Sequence, residues 1–382
     1  MPVSEQDLKV DRQLAEVAGQ LPLLSLMTPI NVPEARKAFF AGDDPVFMYR
    51  DLPDLDAIAA LLDQVDPTAP ADATVAHLAE ALVKELRLRL ELLRNRNTDQ
   101  ALFVAVELFG HVEDKTVTVA EAILREPIDP TPPDRVMGAE EFAVAAGAEI
   151  ARYREVYPEL TAKVHLSDSR PGVLVEAGNL YVGKGTRIAA AHAPGLLAHE
   201  VGTHILTFAN GQSQPLQMLS FGLAGYDELQ EALGVLAEHL ISGLSSARLR
   251  TLAFRVIAAH LRSRGISFRE AHEELVAIGS PRPEAFTTVM RAFRGGGSTK
   301  DAIYLRGLVR LFEHVQAGLD LESLYLGKVS FEAVPLVAEL MTRGVLTSGP
   351  LKPRFLDEVD AQKRVQEIRN GRAVIDLGGR AA

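Results

Sequence analysis

The chain has 382 residues, 47% of them hydrophobic, and a formal net charge of −11 with a pI of about 5.5. This composition supplies a core for one large domain or two, and the acidic balance argues against nucleic acid as a partner. The absence of cysteine excludes disulfides and cysteine-based zinc sites. Residues 1–10 lack the apolar core of a signal peptide and no run is long enough to span a membrane, so we expect a cytoplasmic protein with no membrane partner.

The first third of the chain is predicted to be helical. Leucines recur near helical spacing over residues 73–96, and Glu85 precedes Arg89 by four residues, which favours an ion pair on one helix face. Residues 127–133 are rich in proline, which removes hydrogen-bond donors and disfavours helix in the preceding residue. We therefore expect a helical N-terminal region in residues 1–130 and a second part in residues 131–382. The alternative is an internal loop of one domain.

Helical periodicity dominates the second part as well. It covers residues 140–157, 246–264, 267–278, 282–294, 299–317 and 331–343. Residues 172–183 instead form two short apolar runs around a turn, which predicts a β-hairpin. One strand of this hairpin could lie at a sheet edge and pair with a peptide backbone, or the hairpin only covers the core. The predicted fold class is mainly α with a small β-sheet (α+β).

An apolar, helical segment at residues 196–206 contains three groups that are costly to bury, which are His199, Glu200 and His204. A divalent metal would compensate that cost, and Zn²⁺ accepts His nitrogen and carboxylate oxygen readily. The alternative is a pair of core histidines that hydrogen-bond backbone carbonyls. The segment is therefore a candidate metal-binding helix.

The spacing of the two histidines is unusual for such a helix. Zinc-peptidase helices place them four residues apart, whereas His199 and His204 are five apart. On a regular α-helix this separation turns the two side chains about 140° away from each other. A π-bulge would return them to one side of the helix, and Gly202 is the residue that would permit it. We therefore expect a π-bulge or a frayed turn at Gly202.

A catalytic zinc requires a third protein ligand and one open position. Residues 227–240 are predicted to form a helix whose apolar stripe consists of Leu229, Leu233, Leu236 and Leu240. Glu231 lies roughly opposite this stripe, and the small and apolar residues that follow it suggest burial on more than one side. From these residues alone, Glu231 is either a ligand or part of a solvated surface.

The segment 199–240 resembles the tyrosine/phenylalanine carboxypeptidase domain family. Besides the core His-Glu-x-Gly-Thr-His, the matching residues are Thr207, Asn210-Gly211, Gln214-Pro215-Leu216, Gly222-Leu223-Ala224-Gly225-Tyr226 and Gln230-Glu231. Residues 290–307 are similar to a second motif of the family. Its bacterial members are labelled flavohemoglobin expression-modulating QEGLA motif proteins, and its animal members include the microtubule-associated tyrosine carboxypeptidases. One departure is that Gln-Glu-Gly-Leu-Ala becomes Gln-Glu-Ala-Leu-Gly here, which exchanges the small residues at Ala232 and Gly234.

The resemblance implies His199, His204 and Glu231 as Zn²⁺ ligands and Glu200 as the general base. It also implies a zincin-like metallopeptidase core whose active-site helix carries HExxxH, and it makes residues 131–382 the metallopeptidase catalytic domain. Glu200 adjoins the first ligand, so it can take a proton from a water molecule whose pKa the metal has lowered.

A carboxypeptidase must also bind a free C-terminal carboxylate, and cations serve that purpose. Residues 245–310 contain twelve Lys/Arg against five Asp/Glu, whereas residues 1–70 contain five against twelve. The candidate substrate-binding residues in this basic region are Arg291, Arg294, Lys300 and Arg306. Tyr304 is a candidate donor to the oxyanion of the tetrahedral intermediate. The alternative for each is a surface cation or a packed tyrosine.

The function implied is a zinc-dependent metallocarboxypeptidase that removes a C-terminal residue, Tyr or Phe, from a peptide or protein. The alternative is a regulatory or binding protein, a modulator of flavohemoglobin expression, in which the metal site is structural. The presence of Glu200 argues against this alternative, because a structural site needs no base beside its ligand. The sequence does not determine the oligomeric state, the natural substrate or the physiological metal.

Overall fold

The computed structural model describes residues 3–127, 135–168, 170, 172–242 and 244–378. Helices dominate it, and two small sheets accompany them, which confirms the predicted α+β class. The first group of helices is α1 (Glu5–Gly19), α2 (Leu23–Leu26), α3 (Val32–Ala41), α4 (Leu55–Asp63), α5 (Ala73–Arg94), α6 (Gln100–Phe109) and α7 (Asp114–Arg125). Within the described ranges, none of the helices combines the length and the apolar character needed to cross a membrane.

Most of the remaining helices agree with the predicted segments to within a few residues, except that residues 299–317 and 331–343 begin with short 3₁₀ or irregular turns. The remaining helices are α8 (Ala139–Val156), α9 (Ala193–His199), α10 (Leu206–Gln212), α11 (Met218–Phe221), α12 (Tyr226–Ser242), α13 (Ser246–Ser263), α14 (Phe268–Ala277), α15 (Arg282–Phe293), α16 (Ile303–Gln316), α17 (Val334–Thr342) and α18 (Val359–Arg369). The helices α11 and α18 were not predicted.

The strands form two separate small sheets. They are β1 (Val136–Gly138), β2 (Val164–Ser167), β3 (Val173–Glu176), β4 (Asn179–Gly183) and β5 (Arg187–Ala189). β1 pairs with β5 in antiparallel fashion, and the other sheet has the order β2-β4-β3, with β2 parallel and β3 antiparallel to β4. The predicted hairpin is thus confirmed as β3 and β4. β3 is an edge strand of its sheet and packs near the metal-binding helix.

The backbone conformation of Ala177 and Gly178 explains the tight turn of this hairpin. Its two central residues, Ala177 and Gly178, have φ values of 47° and 73°. Positive φ at both positions matches the right-handed twist of the strands. The ring of Phe208 lies where a side chain on Gly178 would point, so glycine also allows α10 to approach the turn.

One continuous hydrophobic cluster joins the two predicted parts of the chain. It contains residues such as Leu14 and Leu82 from before the proline-rich stretch, and Leu233 and Leu308 from after it. The boundary predicted between residues 130 and 131 lies outside the described residues, and the division into two domains stays a prediction. The predicted pair of Glu85 and Arg89 is present, with a distance of 2.5 Å between Oε1 and Nη2, and it is buried.

Helix α12 lies in the middle of this cluster, between α9 and α16. Its apolar side chains are almost fully buried on every side, including Val235, which faces away from the leucine stripe. The chain after Glu231 is therefore enclosed rather than exposed, as the small residues in it suggested. The carboxylates of α12 that face α9, those of Glu231 and Glu238, are consequently shielded from solvent, as are His199 and His204.

The candidate metal-binding helix contains the irregular turn that a shared ion between its two histidines would require. α9 runs without interruption into a π-helical segment, Glu200–Ile205, and then into α10. Gly202 lies inside that segment, which confirms the predicted π-bulge. A Cβ at Gly202 would lie 3.1 Å from Cε1 of Phe355 and 3.4 Å from the Tyr153 hydroxyl oxygen, so glycine also permits close packing there. The Thr203 hydroxyl donates to the carbonyl of Ala198 at 3.1 Å, across the wide turn.

We expect Thr203→Val to lower the free energy of unfolding by roughly 1 kcal/mol, because it removes this buried hydrogen bond at nearly constant shape. Urea unfolding would measure the change. The matched control is Thr118→Val, whose hydroxyl donates to the Asp114 carbonyl on an exposed helix face and whose loss should stay within about 0.5 kcal/mol. Equal effects of the two substitutions would contradict a stabilising role for the Thr203 hydroxyl.

Candidate metal centre

The π turn places the two histidines beside Glu231 of α12. The Oε2 atom of Glu231 lies 3.8 Å from Nε2 of His199 and 3.9 Å from Nε2 of His204. The three donor atoms all lie within 4.8 Å of one another, and the two imidazole centroids are 4.9 Å apart. The structure therefore brings together the three residues predicted as ligands, although they come from separate helices.

The outer nitrogen of His199 is held by a second carboxylate. Nδ1 of His199 lies 2.7 Å from Oε1 of Glu238, about two helical turns beyond Glu231 on α12. Arg248 at the start of α13 donates from Nε and Nη2 to the two oxygens of Glu238, each at 2.8 Å. Hydrogen bonds of this kind fix the tautomer and orientation of a ligating imidazole. His199 is thereby oriented with Nε2 toward Glu231 and His204.

Hydrogen bonding from α12 also reaches the second histidine. Gln230 accepts a hydrogen bond from the Thr207 hydroxyl at 2.8 Å, and a side-chain hydrogen bond links it to His204. Burial and the neighbouring cationic groups lower the pKa of His204 well below its usual value. His204 is therefore neutral at pH 7, which is the form that can donate a lone pair to a metal.

The acidic groups of the centre are affected by burial in different ways. Burial, together with the charges of Glu231 and Glu238, raises the pKa of Glu200 to about 7. Burial also opposes ionisation of Glu238, but the Arg248 guanidinium outweighs it and holds the pKa of Glu238 far below its usual value. Burial lowers the pKa of His199, whereas the Glu238 hydrogen bond and the nearby carboxylates raise it above its usual value. Glu200 is thus a candidate proton acceptor with a pKa near neutrality.

The donor set fits a divalent cation in both chemistry and charge. Two imidazole nitrogens and a carboxylate oxygen are a usual ligand set for catalytic zinc. Tetrahedral zinc with bonds of about 2.0–2.1 Å places its ligand atoms roughly 3.3 Å apart, so the donors would need to move inward only slightly. The centre also contains three buried or half-buried carboxylates, those of Glu200, Glu231 and Glu238, and Arg248 pairs with one of them. A cation at the donors would reduce this excess of negative charge.

Ala232 and Gly234, the small residues that are exchanged relative to the family motif, both lie where α12 closely contacts another helix. A Cβ at Gly234 would lie 2.6 Å from Cε1 and Nε2 of His199, so the missing side chain leaves room for the ligand ring. A Cβ at Gly307 of α16 would lie 3.1 Å from the Cβ of Ala232. Small residues at positions 232 and 234 therefore allow α12 to pack closely between α9 and α16.

A cavity of about 310 Å³ opens beside the donors and is lined by His204 and Glu231. Its apolar wall includes four aromatic side chains, which are Phe109, Phe208, Phe221 and Tyr226. Residues 18–29 of the N-terminal region and the edge strand β3 contribute further parts of the wall. The N-terminal region thus forms part of the cavity next to the candidate metal centre.

The predicted substrate-binding cations are all close to carboxylates of the chain itself. Arg291 and Arg294 approach the buried Asp301, which Arg291 contacts with two nitrogens and Arg294 at 3.5 Å. Lys300 forms an ion pair with Asp227, and Arg306 pairs with Glu228 at 2.7 Å. Arg294 and Lys300 line the cavity, whereas Arg291 and Arg306 are not among its lining residues. Their role in substrate binding stays a prediction.

Tyr304, the predicted oxyanion donor, lies on α16 near Glu231. Burial and the charge of Glu231 raise the pKa of its hydroxyl well above the usual value. The guanidinium of Arg255 lies over its ring at 5.1 Å from the centroid. Tyr304 therefore keeps its proton at neutral pH and is available as a donor.

The family described as "Microtubule-associated tyrosine carboxypeptidase" matches residues 37–372. This chain belongs to that family. The match includes both the metal-binding helix and α12, and it confirms the resemblance seen in the sequence.

Curated relatives of this tyrosine carboxypeptidase family member come from mammals. The chain is 30% identical over 204 residues to microtubule-associated tyrosine carboxypeptidase 1 of Homo sapiens, which covers 48% of this chain and 42% of that protein. It is 30% identical over 187 residues to the protein of the same name from Rattus norvegicus, which covers 45% of this chain and 38% of that protein. The matched segments thus span less than half of these relatives. No solved structure matches the chain significantly.

Several functional candidates in this family member were not found from the sequence. Glu238 was visible only as one of several acidic residues on the same side of α12 as Glu231. Arg248 was one of the many cations of the basic region. Lys328, which lines the cavity, lies in an irregular segment with no periodicity or motif to mark it. These residues approach the centre only through tertiary packing.

We expect Glu238→Gln to weaken zinc binding by about 10–100-fold, because it removes the charged acceptor that orients His199. Competition with a chromophoric chelator would measure the affinity. Glu273→Gln, on an exposed face of α14, is the matched control and should leave the affinity unchanged. Unchanged affinity of a folded Glu238→Gln protein would show that the His199 hydrogen bond does not support metal binding.

We expect Asp301→Asn to lower the free energy of unfolding by roughly 3–5 kcal/mol at pH 7, because it leaves buried arginines without their anion. Burial disfavours ionised Asp301, but Arg291, Arg294 and Arg255 lower its pKa far below the usual value. A lowered folded-state pKa stabilises the protein above the unfolded-state pKa of about 3.9, and this stabilisation is lost as the pH falls below it. The difference from the unmodified protein should therefore shrink below about pH 4.

Denaturant unfolding at several pH values would measure this difference. Asp360→Asn is the control, because Asp360 is 74% exposed and pairs with Lys363 in a surface contact at 3.1 Å. Its effect should be within about 0.5 kcal/mol. A loss at Asp301 that is equally large at acidic and neutral pH would contradict the electrostatic explanation.

Proposed function

We propose that this protein is a zinc-dependent metallocarboxypeptidase with a zincin-like core, and that it removes a C-terminal Tyr or Phe from a peptide or protein. The observation that carries the proposal is the convergence of His199, His204 and Glu231, of which His204 and Glu231 also line an aromatic cavity. The names of the mammalian relatives, which are microtubule-associated tyrosine carboxypeptidases, support the same reaction.

In this proposal His199, His204 and Glu231 hold the metal. When bound, Zn²⁺ would supply Lewis acidity and would lower the pKa of water enough to make it a nucleophile at neutral pH. Glu238 and Arg248 keep His199 in position through the hydrogen bonds described above. The ring of His204 is kept neutral by burial, so it needs no deprotonation before binding.

Glu200 carries the proton in the proposed reaction. Its carboxylate accepts the proton of the attacking water and then returns it to the nitrogen of the leaving amino acid. Burial and the nearby carboxylates raise the pKa of Glu200, and a cation at the neighbouring donors would oppose that rise. One group takes and releases a proton most efficiently when its pKa lies near the operating pH. Tyr304 keeps its own proton and donates a hydrogen bond to the oxyanion of the tetrahedral intermediate.

The cavity supports the proposed preference for an aromatic residue. Phe109, Phe208, Phe221 and Tyr226 offer ring faces and edges to an aromatic side chain of the substrate. The edge strand β3, with Leu174 and Val175 in the cavity wall, would pair with the backbone of the preceding substrate residues. The proposed partner is thus the C-terminus of a peptide or protein, and tubulin itself is not assigned.

We expect the purified protein to contain zinc and to release the last residue from peptides that end in Tyr or Phe. Glu200→Gln should keep the metal but reduce hydrolysis by at least about 10²-fold, because it removes the proton acceptor. Glu231→Ala should lose zinc affinity along with activity. Elemental analysis and chromatography of released amino acids would measure both properties.

Glu140→Gln, at an exposed position of α8, is the matched control and should leave metal content and activity unchanged. Bound zinc with no hydrolysis of any peptide in a panel would favour a regulatory protein with a structural metal. Full zinc affinity in Glu231→Ala would remove Glu231 from the proposed ligands.

A further inference from the structure

Lys328 is a cation of the cavity that the proposed reaction has not yet used. Its side chain lines the cavity together with His204 and Glu231. Its backbone is fixed at both polar groups, since its N–H donates to the Leu219 carbonyl at 2.7 Å and its carbonyl accepts from the Leu223 N–H at 3.0 Å. These two hydrogen bonds fix the backbone of Lys328, and therefore its Cα–Cβ bond, against residues 219–223, which precede α12.

The ammonium group of Lys328 lies among aromatic rings. Nζ is 5.5 Å from the ring centroid of Phe208 and 5.4 Å from that of Tyr226. Both distances are within the range at which ring faces attract a cation. Two rings that line the cavity thus hold the ammonium at its wall, and the same rings are available to a bound aromatic side chain.

Lys328 differs from several other cations of the cavity because it has no carboxylate in direct contact. Four cavity cations do have a carboxylate within 4.0 Å, which are Arg89 with Glu85, Arg170 with Glu176, Arg294 with Asp301 and Lys300 with Asp227. Within the part of the chain that the structure describes, no carboxylate oxygen lies within that distance of Nζ of Lys328. Most of these cations are therefore paired directly with a carboxylate, whereas the charges of Asp227 and Glu231 act on Lys328 from beyond 4.0 Å.

A half-buried cation with no carboxylate in direct contact is costly unless a ligand compensates it. Burial lowers the pKa of Lys328 to about 8, whereas the charges of Asp227 and Glu231 favour its protonated form. A carboxylate that enters the cavity would gain a charge-assisted hydrogen bond and would lose less by desolvation than in an apolar pocket. A neutral amide would gain much less at the same place.

This inference rests on the proposed function and specifies its substrate. We propose that Lys328 binds the terminal carboxylate of the substrate and so restricts the cavity to chains with a free C-terminus. The paired cations Arg294 and Lys300 then shape the wall rather than supply the main contact. Discrimination between a free carboxylate and an amide is the property that distinguishes this role from a structural one.

Binding can be measured without turnover in the Glu200→Gln protein loaded with zinc. The probes are the peptide Gly-Ala-Tyr with a free carboxylate and the same peptide with a C-terminal amide, titrated by calorimetry. We expect the free acid to bind at least about 10-fold more tightly, since a charge-assisted hydrogen bond contributes roughly 1.5–3 kcal/mol. Adding Lys328→Met should reduce this preference to within about 2-fold and leave the affinity for the amide nearly unchanged.

Two comparison variants make the result specific. Lys328→Arg keeps the charge and should retain most of the preference for the free acid. Lys300→Met removes a cation of the same cavity that is already paired with Asp227, and it should preserve the ratio of the two affinities. Zinc content and a thermal unfolding curve for each variant would show that the protein and its metal site are intact.

The outcomes separate this inference from the proposed function. A preference that survives in Lys328→Met, or that disappears in Lys300→Met, would overturn the assignment to Lys328. A preference that depends on Lys328 in a protein that hydrolyses no peptide would support the carboxylate site and count against the peptidase proposal. Hydrolysis with equal rates on acid and amide would show that the carboxylate site does not exist.

Discussion

The five-residue interval between His199 and His204 imposes the constraint on which the candidate centre depends. On a regular α-helix the two rings would diverge by about 140°, and no single ion could contact both. The π-helical segment Glu200–Ile205 removes that divergence by widening one turn. The Thr203 hydroxyl bridges the widened turn, and Phe355 packs against the space left by Gly202. The packing of this one helical turn thus determines whether the imidazole nitrogens of His199 and His204 can face the same ion.

The second requirement is a buried helix that presents acids to the first one. α12 is enclosed by apolar contacts on all sides, so Glu231 and Glu238 are held out of water whether or not a metal is bound. Buried carboxylates need cations. Arg248 supplies one to Glu238, and the metal would supply another to Glu231. The same burial raises the pKa of Glu200 and lowers that of His204, so packing sets the protonation states that the proposed chemistry needs.

On the other side of the cavity, cations rather than carboxylates are in excess. The basic segment places many cations near the centre, but buried or half-buried acids such as Asp301, Asp227 and Glu228 pair with them. Paired guanidinium groups make a rigid wall and have little charge left for a ligand. A count of charges along the chain does not reveal this pairing, because Asp301 lies several residues from the arginines that it contacts. For the same reason Lys328 stands out only once the cavity is seen.

Local patterns in the sequence determined much of this protein. Periodicity predicted the long helices and the hairpin, because the apolar residues of an amphipathic element must face one core. The interval between His199 and His204, together with Gly202, predicted a π-bulge or a frayed turn, since two ligands on one helix allow few geometries. Glu231 remained open between a ligand and a surface residue until the family resemblance was considered.

Only the tertiary structure decided which side chains meet across elements. It showed that Glu238 and Arg248 support His199 and that residues 18–29 close one wall of the cavity. It also showed that no carboxylate of the described chain lies within 4.0 Å of Nζ of Lys328. The physical reason is that burial and charge pairing depend on neighbours from distant segments. A local pattern determines which face of an element is buried, whereas the packing of all elements determines what that face contacts.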